Sequence, residues 1–246
     1  MSIFACLVSI ICRFIYINSR LGGKTHNILL KGGFIMVKTK ELFSCSTPYL
    51  MPLFEEYEYP WQILDALPSF ITELCGLLPE GFEELSSGVF VGKGVKIDTG
   101  ARIFGPAIIG DGCELRQGAF IRGGVILGSG CVIGNSTELK NCILLDGAQA
   151  PHYNYVGDSI LGVRSHLGAG AICSNLKGDG SNVVIHAERE YETGRRKVGA
   201  FVGDGAEIGC SCVLNPGCVI GKGTRAYPLL SLRGVFDKNL IIKTIS

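Results

Sequence analysis

The sequence has little charge and no excess of either sign. Of 246 residues, 18% are charged, and 23 Lys and Arg stand against 22 Asp and Glu, for a formal charge of +1. Backbone recognition of nucleic acid needs a basic surplus to displace counterions, so no nucleic-acid partner is expected. No glycine-rich nucleotide loop lies near the N-terminus. The 35 glycines show no period of three, which excludes a collagen-like chain. What the chain does have is aliphatic: apolar residues make up 47%, too many for a disordered polymer. Glycine-rich and weakly charged, it reads as many short strands joined by tight turns.

Eleven cysteines are spread over the whole length, unlike the dense framework of a small secreted domain. Cys113, Cys131, Cys212 and Cys218 occupy a repeating small-residue slot and read as buried apolar side chains in a reducing compartment, so a cytoplasmic location is expected. Cys210-x-Cys212 is neither a redox C-x-x-C nor half of a zinc knuckle, and no tightly bound metal is expected.

Residues 1–35 form an apolar N-terminal segment. The run 3–17 contains Arg13 and is shorter than the roughly 20 residues of a comfortable span, so the segment reads as a weak anchor or as the product of an upstream start. A chain beginning at Met36 is expected to fold and function alone. Residues 36–88 read as a helical cap. Pro60 opens WQILDAL, and Ser69 could N-cap FITELCGLL before Pro79 stops it. Such helices would cover the unpaired first coil of whatever begins near Val89.

From Val91 every sixth residue is aliphatic: Val91, Ile97, Ile103, Ile109, Leu115, Ile121, Leu127, Ile133, Leu139 and Leu145. A slim residue usually stands two before each, as at Ala107, Cys113, Ala119 and Thr137. Glycine often comes next, as at Gly92, Gly110, Gly128 and Gly134, where it would relieve strained turn dihedrals. Six residues suit one short strand and one tight turn, with the aliphatic side chain inward. Such units wind into a β-solenoid whose equivalent positions stack about 4.8 Å apart, and stacking supplies the stability. The frame resumes at Leu161 and Leu167, then at Val202, Ile208, Leu214 and Ile220.

This pattern resembles the hexapeptide-repeat left-handed parallel β-helix, in which three units make one coil. The resemblance implies an all-β fold with a short helical cap: a β-helix domain at 89–228 of about six coils, a loop insertion at 176–196, and a C-terminal tail at 229–246.

The frame breaks at Pro151, where an aliphatic is due. The segments Ala150–Gly162 and His166–Asn175 resemble the acetyltransferase half of bifunctional N-acetylglucosamine-1-phosphate uridyltransferases. His152, Tyr155, Gly157 and Asp158 match a His-x-x-Tyr-x-Gly-Asp motif, and Gly168-Ala169-Gly170 and Asn175 match the family's Gly-Ala-Gly and asparagine on its C-terminal side. Upstream, Arg122, Glu138 and Lys140 match at the family's spacing, and downstream Lys197 fits once the insertion is allowed. Two departures stand out. His166 replaces a substrate-binding asparagine, and the uridyltransferase half has no counterpart in this sequence.

The residues themselves carry part of the chemistry. Arg122 and Lys140 each follow an inward aliphatic and lie eighteen residues apart, so both point outward and stack on neighbouring strands; paired cations suit a phosphate. His152 is a natural general base near neutral pH. The resemblance adds roles. His152 would activate a sugar amine for attack on acetyl-CoA, the co-substrate, with Glu138 orienting its imidazole. Arg122, Lys140, Tyr155, His166, Asn175 and Lys197 would bind an amino-sugar phosphate. Ala169, Asn175 and Cys210 would contact the coenzyme, and backbone N–H groups at 168–170 would serve the oxyanion. The resemblance further implies a homotrimer with the site between copies, and a place in UDP-N-acetylglucosamine and cell-envelope precursor synthesis. Two alternatives stand beside it: a non-catalytic sugar-phosphate-binding or nucleotidyltransferase-associated protein, and a γ-class carbonic anhydrase using His152, His166 and His186. Loop 176–196, ending in the charged HAEREYETGRRK, reads as a mobile cover.

Overall fold

A computed structural model describes residues 37–243, together with the backbone of an antiparallel pair, Asn18–Leu21 with Lys24–Asn27. The readings of an anchor or a displaced start in residues 1–35 fall almost wholly outside the described residues.

Residues 89–242 wind into a three-sided parallel β-helix. The first face runs from Val89–Val91 to Val235–Phe236, the second from Lys96–Ile97 to Ile241–Ile242, and the third from Arg102–Ile103 to Ser231–Leu232. The faces hold nine, eight and seven strands, the ninth being Glu83–Ser86, added antiparallel at the open end of the first face. Seven three-sided coils and two sides of an eighth result, more than the about six read from the repeat. The expected tail at 229–246 is instead largely coil: Leu230, Leu232, Phe236 and Ile242 all enter the inner core. The count fell short because the corner after Leu232 is two residues short and hides the frame.

Inside, the expected ladder is present. Ile109, Leu115, Ile121, Leu127, Ile133 and Leu139 are buried, with Ala107, Cys113, Ala119, Cys131 and Thr137 beside them. All nine cysteines of residues 37–243 are free thiols, and Cys113, Cys131, Cys212 and Cys218 are buried as expected. One rung is shifted. Leu127 pairs with Leu144, not Leu145, and Ile133 with Ala150. The corner at Lys140-Asn141 is one residue short, so Leu144 faces inward and Leu145 joins the outer cluster. Pro151 therefore does not fill an inward slot; Ala150 does. The slim slot in that coil holds Asn154, whose amide donates to the carbonyls of Gly168 (2.8 Å) and Ala171 (3.1 Å).

The glycines just after the aliphatic positions have a different cause from the one expected. Gly110 and Gly134 are not in the left-handed region. A Cβ at Gly110 would lie 2.6 Å from the carbonyl carbon of Gly128 in the next coil, and one at Gly134 would collide with Pro151. Close approach of successive coils, not dihedral freedom, excludes a side chain there.

The first face is apolar on both sides. Ile108, Ile126, Ile143, Ile160, Phe201, Val219 and Val235 alternate with the inward residues, so they point outward, yet all are buried. Each would leave about 1.5–3 kcal/mol of burial unrealised if exposed. Helices α1 (Thr39–Leu42), α2 (Met51–Glu56) and α3 (Pro60–Leu74) cover them. The helical segment thus lies along a flank of the β-helix and does not merely cap its end. Asp146 accepts a hydrogen bond from Thr47 (3.0 Å) and Asp204 one from the backbone N–H of Ser44 (2.8 Å), pinning this segment to two coils. α3 is one continuous helix. Ser69 does not cap a second one; its hydroxyl donates back to the carbonyl of Ala66 (2.9 Å), while Pro68 sits on the exposed side. The buried spacing Ile63, Leu64, Leu67, Ile71, Leu74 carries the helix past the proline.

The insertion is likewise packed. Val184–His186 and Glu190–Glu192 form an antiparallel hairpin. Val183, Ile185 and Val198 are buried with Phe201 and Trp61 on the same flank. The mobile cover expected from its charge is a docked hairpin, because its alternate residues are apolar and share the α3 cluster.

Candidate functional site

Apart from His166 and His186, the residues singled out by sequence lie on the third face and its two edges. Glu138, on strand Glu138–Lys140, is in register with Phe120 below and Tyr155 above. Arg122 and Lys140 follow inward Ile121 and Leu139 in paired strands, as expected, so both stand where the third face turns into the first. Arg122 is not left free for an anion. Its guanidinium donates to Glu138 at 2.6 Å, and this bond, with the charge attraction behind it, raises the arginine further above its ordinary value. Lys140 has no ion-pair partner among the described residues.

His152 ends the strand Gln149–His152, at the turn from second to third face. Its side chain is exposed and makes no hydrogen bond to another described residue; its backbone N–H donates to Asn154 (3.1 Å) and its carbonyl accepts from Gly170 (2.9 Å). The orienting contact expected from Glu138 is absent within the chain; one oxygen of that carboxylate accepts from Arg122 instead. Tyr153, the next residue, is held at φ +50°. Ala169 and Cys210 stack above His152 along this same edge: Gly170 bonds to His152, Ser211 to Ala169, and both Ala169 and Cys210 are exposed.

Asn175 and Lys197 lie on the other edge. An antiparallel bridge between Leu176 and Lys197 closes the base of the insertion, which places Lys197 beside Asn175. Tyr155 spans the face toward them. Its hydroxyl accepts from the Asn175 amide at 3.2 Å, and burial raises its pKa, with that hydrogen bond pulling the other way. Gly157 makes the crossing possible, since a Cβ there would lie 2.7 Å from the phenol Cζ and 2.8 Å from the Asn175 amide. Asp158, buried and at φ +47°, accepts from Asn141 (2.8 Å) and Asn175 (2.6 Å) and lies 3.6 Å from Arg195. Sequence reasoning matched Asp158 to a motif but gave it no role. It missed Asn141 and Arg195, whose only signals were a corner one residue short and a charged loop.

His166 is elsewhere. It stands on the second face, in register with Gln149 and Glu207, and its Nδ1 is 3.1 Å from Glu207. His186 is on the hairpin, 3.2 Å from Glu190. The three histidines of the carbonic-anhydrase alternative thus occupy three different elements. Among the described residues no group of three or more His, Cys, Asp or Glu could hold a metal ion, and no helix is long and apolar enough to cross a membrane.

The arrangement offers an exposed imidazole on one edge. Arg122, Lys140, Lys197 and a Tyr155–Asn175 pair stand on and beside the other, and Glu138 lies between. It can take a proton, face an anion and hydrogen-bond a polyol.

Known proteins resemble the chain over its repeat. A family model described as the GMPPB C-terminal domain matches residues 103–190. A bifunctional sugar-1-phosphate nucleotidylyltransferase/acetyltransferase of Sulfurisphaera tokodaii is 36% identical over 39% of this chain and 24% of its own length. A bifunctional protein GlmU of Methanococcus maripaludis is 31% identical over 68% of this chain and 41% of its own. The chain therefore spans well under half the length of these curated relatives. Among solved structures, a hexapeptide transferase family protein from Anaplasma phagocytophilum aligns over 56% of this chain and 70% of its own, at 20% identity and a TM-score of 0.30. Motifs, repeat and relatives converge: the chain is a parallel β-helix of hexapeptide repeats that resembles the acetyltransferase half of the bifunctional GlmU-type proteins.

Proposed function

We propose that the chain is an acyl-CoA-dependent N-acyltransferase, with acetyl-CoA as donor and glucosamine 1-phosphate or a similar amino-sugar phosphate as acceptor. The observation that carries this reading is the third face, where Glu138 lies in register with Tyr155, the cations Arg122 and Lys140 stack on one edge, and the exposed imidazole of His152 stands on the other. Lys140 and Lys197 would face the phosphate, and Tyr155 with Asn175 the sugar hydroxyls. The amine lone pair attacks the thioester carbonyl while His152 takes the amine proton; the C–S bond then breaks and the coenzyme thiolate leaves and is protonated. Backbone N–H groups around Ala169 would stabilise the oxyanion, and the edge carrying Ala169 and Cys210 would lie along the coenzyme.

The two edges belong to one site only if they are brought together, and a homotrimer would do this by setting one copy's imidazole edge against its neighbour's lysine edge. Partly exposed Phe120, Ile172 and Val213 on the third face support such packing. Work on a sugar-1-phosphate would place the chain in UDP-N-acetylglucosamine and cell-envelope precursor synthesis, in the cytoplasm.

The test is thiol release from acetyl-CoA with glucosamine 1-phosphate. His152→Ala is expected to lower turnover by about 100-fold or more with circular dichroism unchanged; undiminished turnover removes His152 from the reaction. A second reading has one observation in its favour. Glu138 bonds to Arg122 and makes no contact with His152, as suits a protein that binds a sugar phosphate without transferring to it. That reading expects calorimetric binding of the sugar phosphate and no thiol release.

A further inference from the structure

Arg195 belongs to the insertion, yet its guanidinium points back into the edge that carries Asn175. Its side chain is 19% exposed. Nη1 bonds to Asp65 on α3, Nε donates to the carbonyl of Lys197 (3.2 Å), and Nη2 lies 3.6 Å from Asp158. Three directions of a rigid planar fork are thus fixed by three separate elements. Asp158 needs this cation. Its side chain is 6% exposed, and its other partners are the neutral amides of Asn141 and Asn175. A buried carboxylate held by amides alone keeps a large desolvation cost.

The consequence lies one step further out. A carboxylate only accepts hydrogen bonds, so Asn175 must turn its NH2 toward Asp158. The same NH2 also donates to the Tyr155 hydroxyl. That leaves Asn175 Oδ1 as an acceptor with no donor among the described residues, and it leaves the Tyr155 proton free to be given away. We infer that Arg195 is a positioning residue: through Asp158 it sets the Tyr155–Asn175 pair as one donor beside one acceptor, matched to a ligand hydroxyl or amide. This rests on the acyltransfer reading for its kinetic consequence, but not for its structural one.

Both consequences are measurable. The side-chain amide resonances of Asn175, assigned through Asn175→Ala, are expected to shift in Arg195→Met and to stay in place in Arg196→Met, whose Nε only reaches the exposed carbonyl of Gly180. In the thiol-release assay, Arg195→Met is expected to raise KM for the sugar phosphate about five-fold or more, with kcat within two-fold, and Arg195→Lys to recover part of the loss. Joined to Asn175→Ala, Arg195→Met should add nothing further. Unmoved Asn175 resonances, or effects that multiply in the double variant, overturn the inference. If Arg195→Met does not fold, Arg195→Gln carries the same expectations. If the wild-type chain transfers nothing, the functional reading falls and the resonances alone decide this one.

Discussion

The coils below Leu139 and the two above it are built to different rules. From Val89 to Leu139 each rung repeats after eighteen residues: Ala107 pairs with Val125, Leu115 with Ile133, Ile121 with Leu139. From Leu127 onward Leu144, Ala150, Val156 and Leu161 each repeat after seventeen. The lower corners use glycine, as at Gly123 and Gly124; the two short corners use Asn141 and Asp158, at φ +47° each. Shortening a corner therefore changes more than its length. A glycine corner only turns the chain, whereas an Asx corner turns it and presents a side chain, here the Asp158 carboxylate that holds Asn175 and the Asn141 amide that holds the carboxylate.

The largest expected effect breaks the regular part. Gly134→Ala should destabilise the fold by about 3 kcal/mol or more, since its Cβ would collide with Pro151, while Gly178→Ala, which meets nothing within 4 Å, should be near neutral. Urea titration of the two variants measures the gap; equal midpoints would mean the coils are not held at that spacing. Next, one glycine inserted after Asn141 restores an eighteen-residue coil. It should lower Tm and separate Asn141 from Asp158, and an unchanged Tm would make the short corner incidental. Smaller and confined to the site, Gly157→Ala should raise KM for the sugar phosphate several-fold through the displaced Tyr155 ring with little change in stability; a KM within two-fold of wild type would remove Tyr155 from acceptor binding.

The smallest effect is one of rate. Burial raises the Cys173 thiol to about 12 and pushes Cys142 higher still. A raised thiol stays protonated until pH approaches its pKa, so at pH 8 almost none of either is thiolate. Peptide mapping after iodoacetamide at pH 8 should find Cys210, which is exposed, alkylated, and Cys142 and Cys173 modified only after unfolding. Early modification of Cys173 would show the upper coils opening.

Much of this was legible in the chain. Periodicity alone gave the inward ladder and its direction, because each aliphatic position must stack on its own kind. It also gave Arg122 and Lys140 a common edge, since residues one coil apart share a place. The one-residue slip at Asn141 was not legible: Leu144 and Leu145 are both leucine, and either could fill the slot. The apolar outer row from Ile108 to Val235 was in plain sight as a second hydrophobic residue per strand, but a search for one residue in six passes over it. His166 was placed in the site by alignment to a motif, whereas its own coil carries it to the second face, opposite Glu207. Arg195 had only its charged loop to mark it, since its partners Asp65 and Asp158 stand 130 and 37 residues away.

The covering of the first face limits how copies can meet. In a closed ring of identical subunits every member offers one surface forward and a different one backward. Helix α3 and the docked hairpin already occupy one of the three flanks, and the two that no other described residue covers are the number such a ring would use. A prism with all three sides open could meet its copies on every flank; in the trimer proposed above, this one would have a flank upholstered by its own chain and turned to the outside.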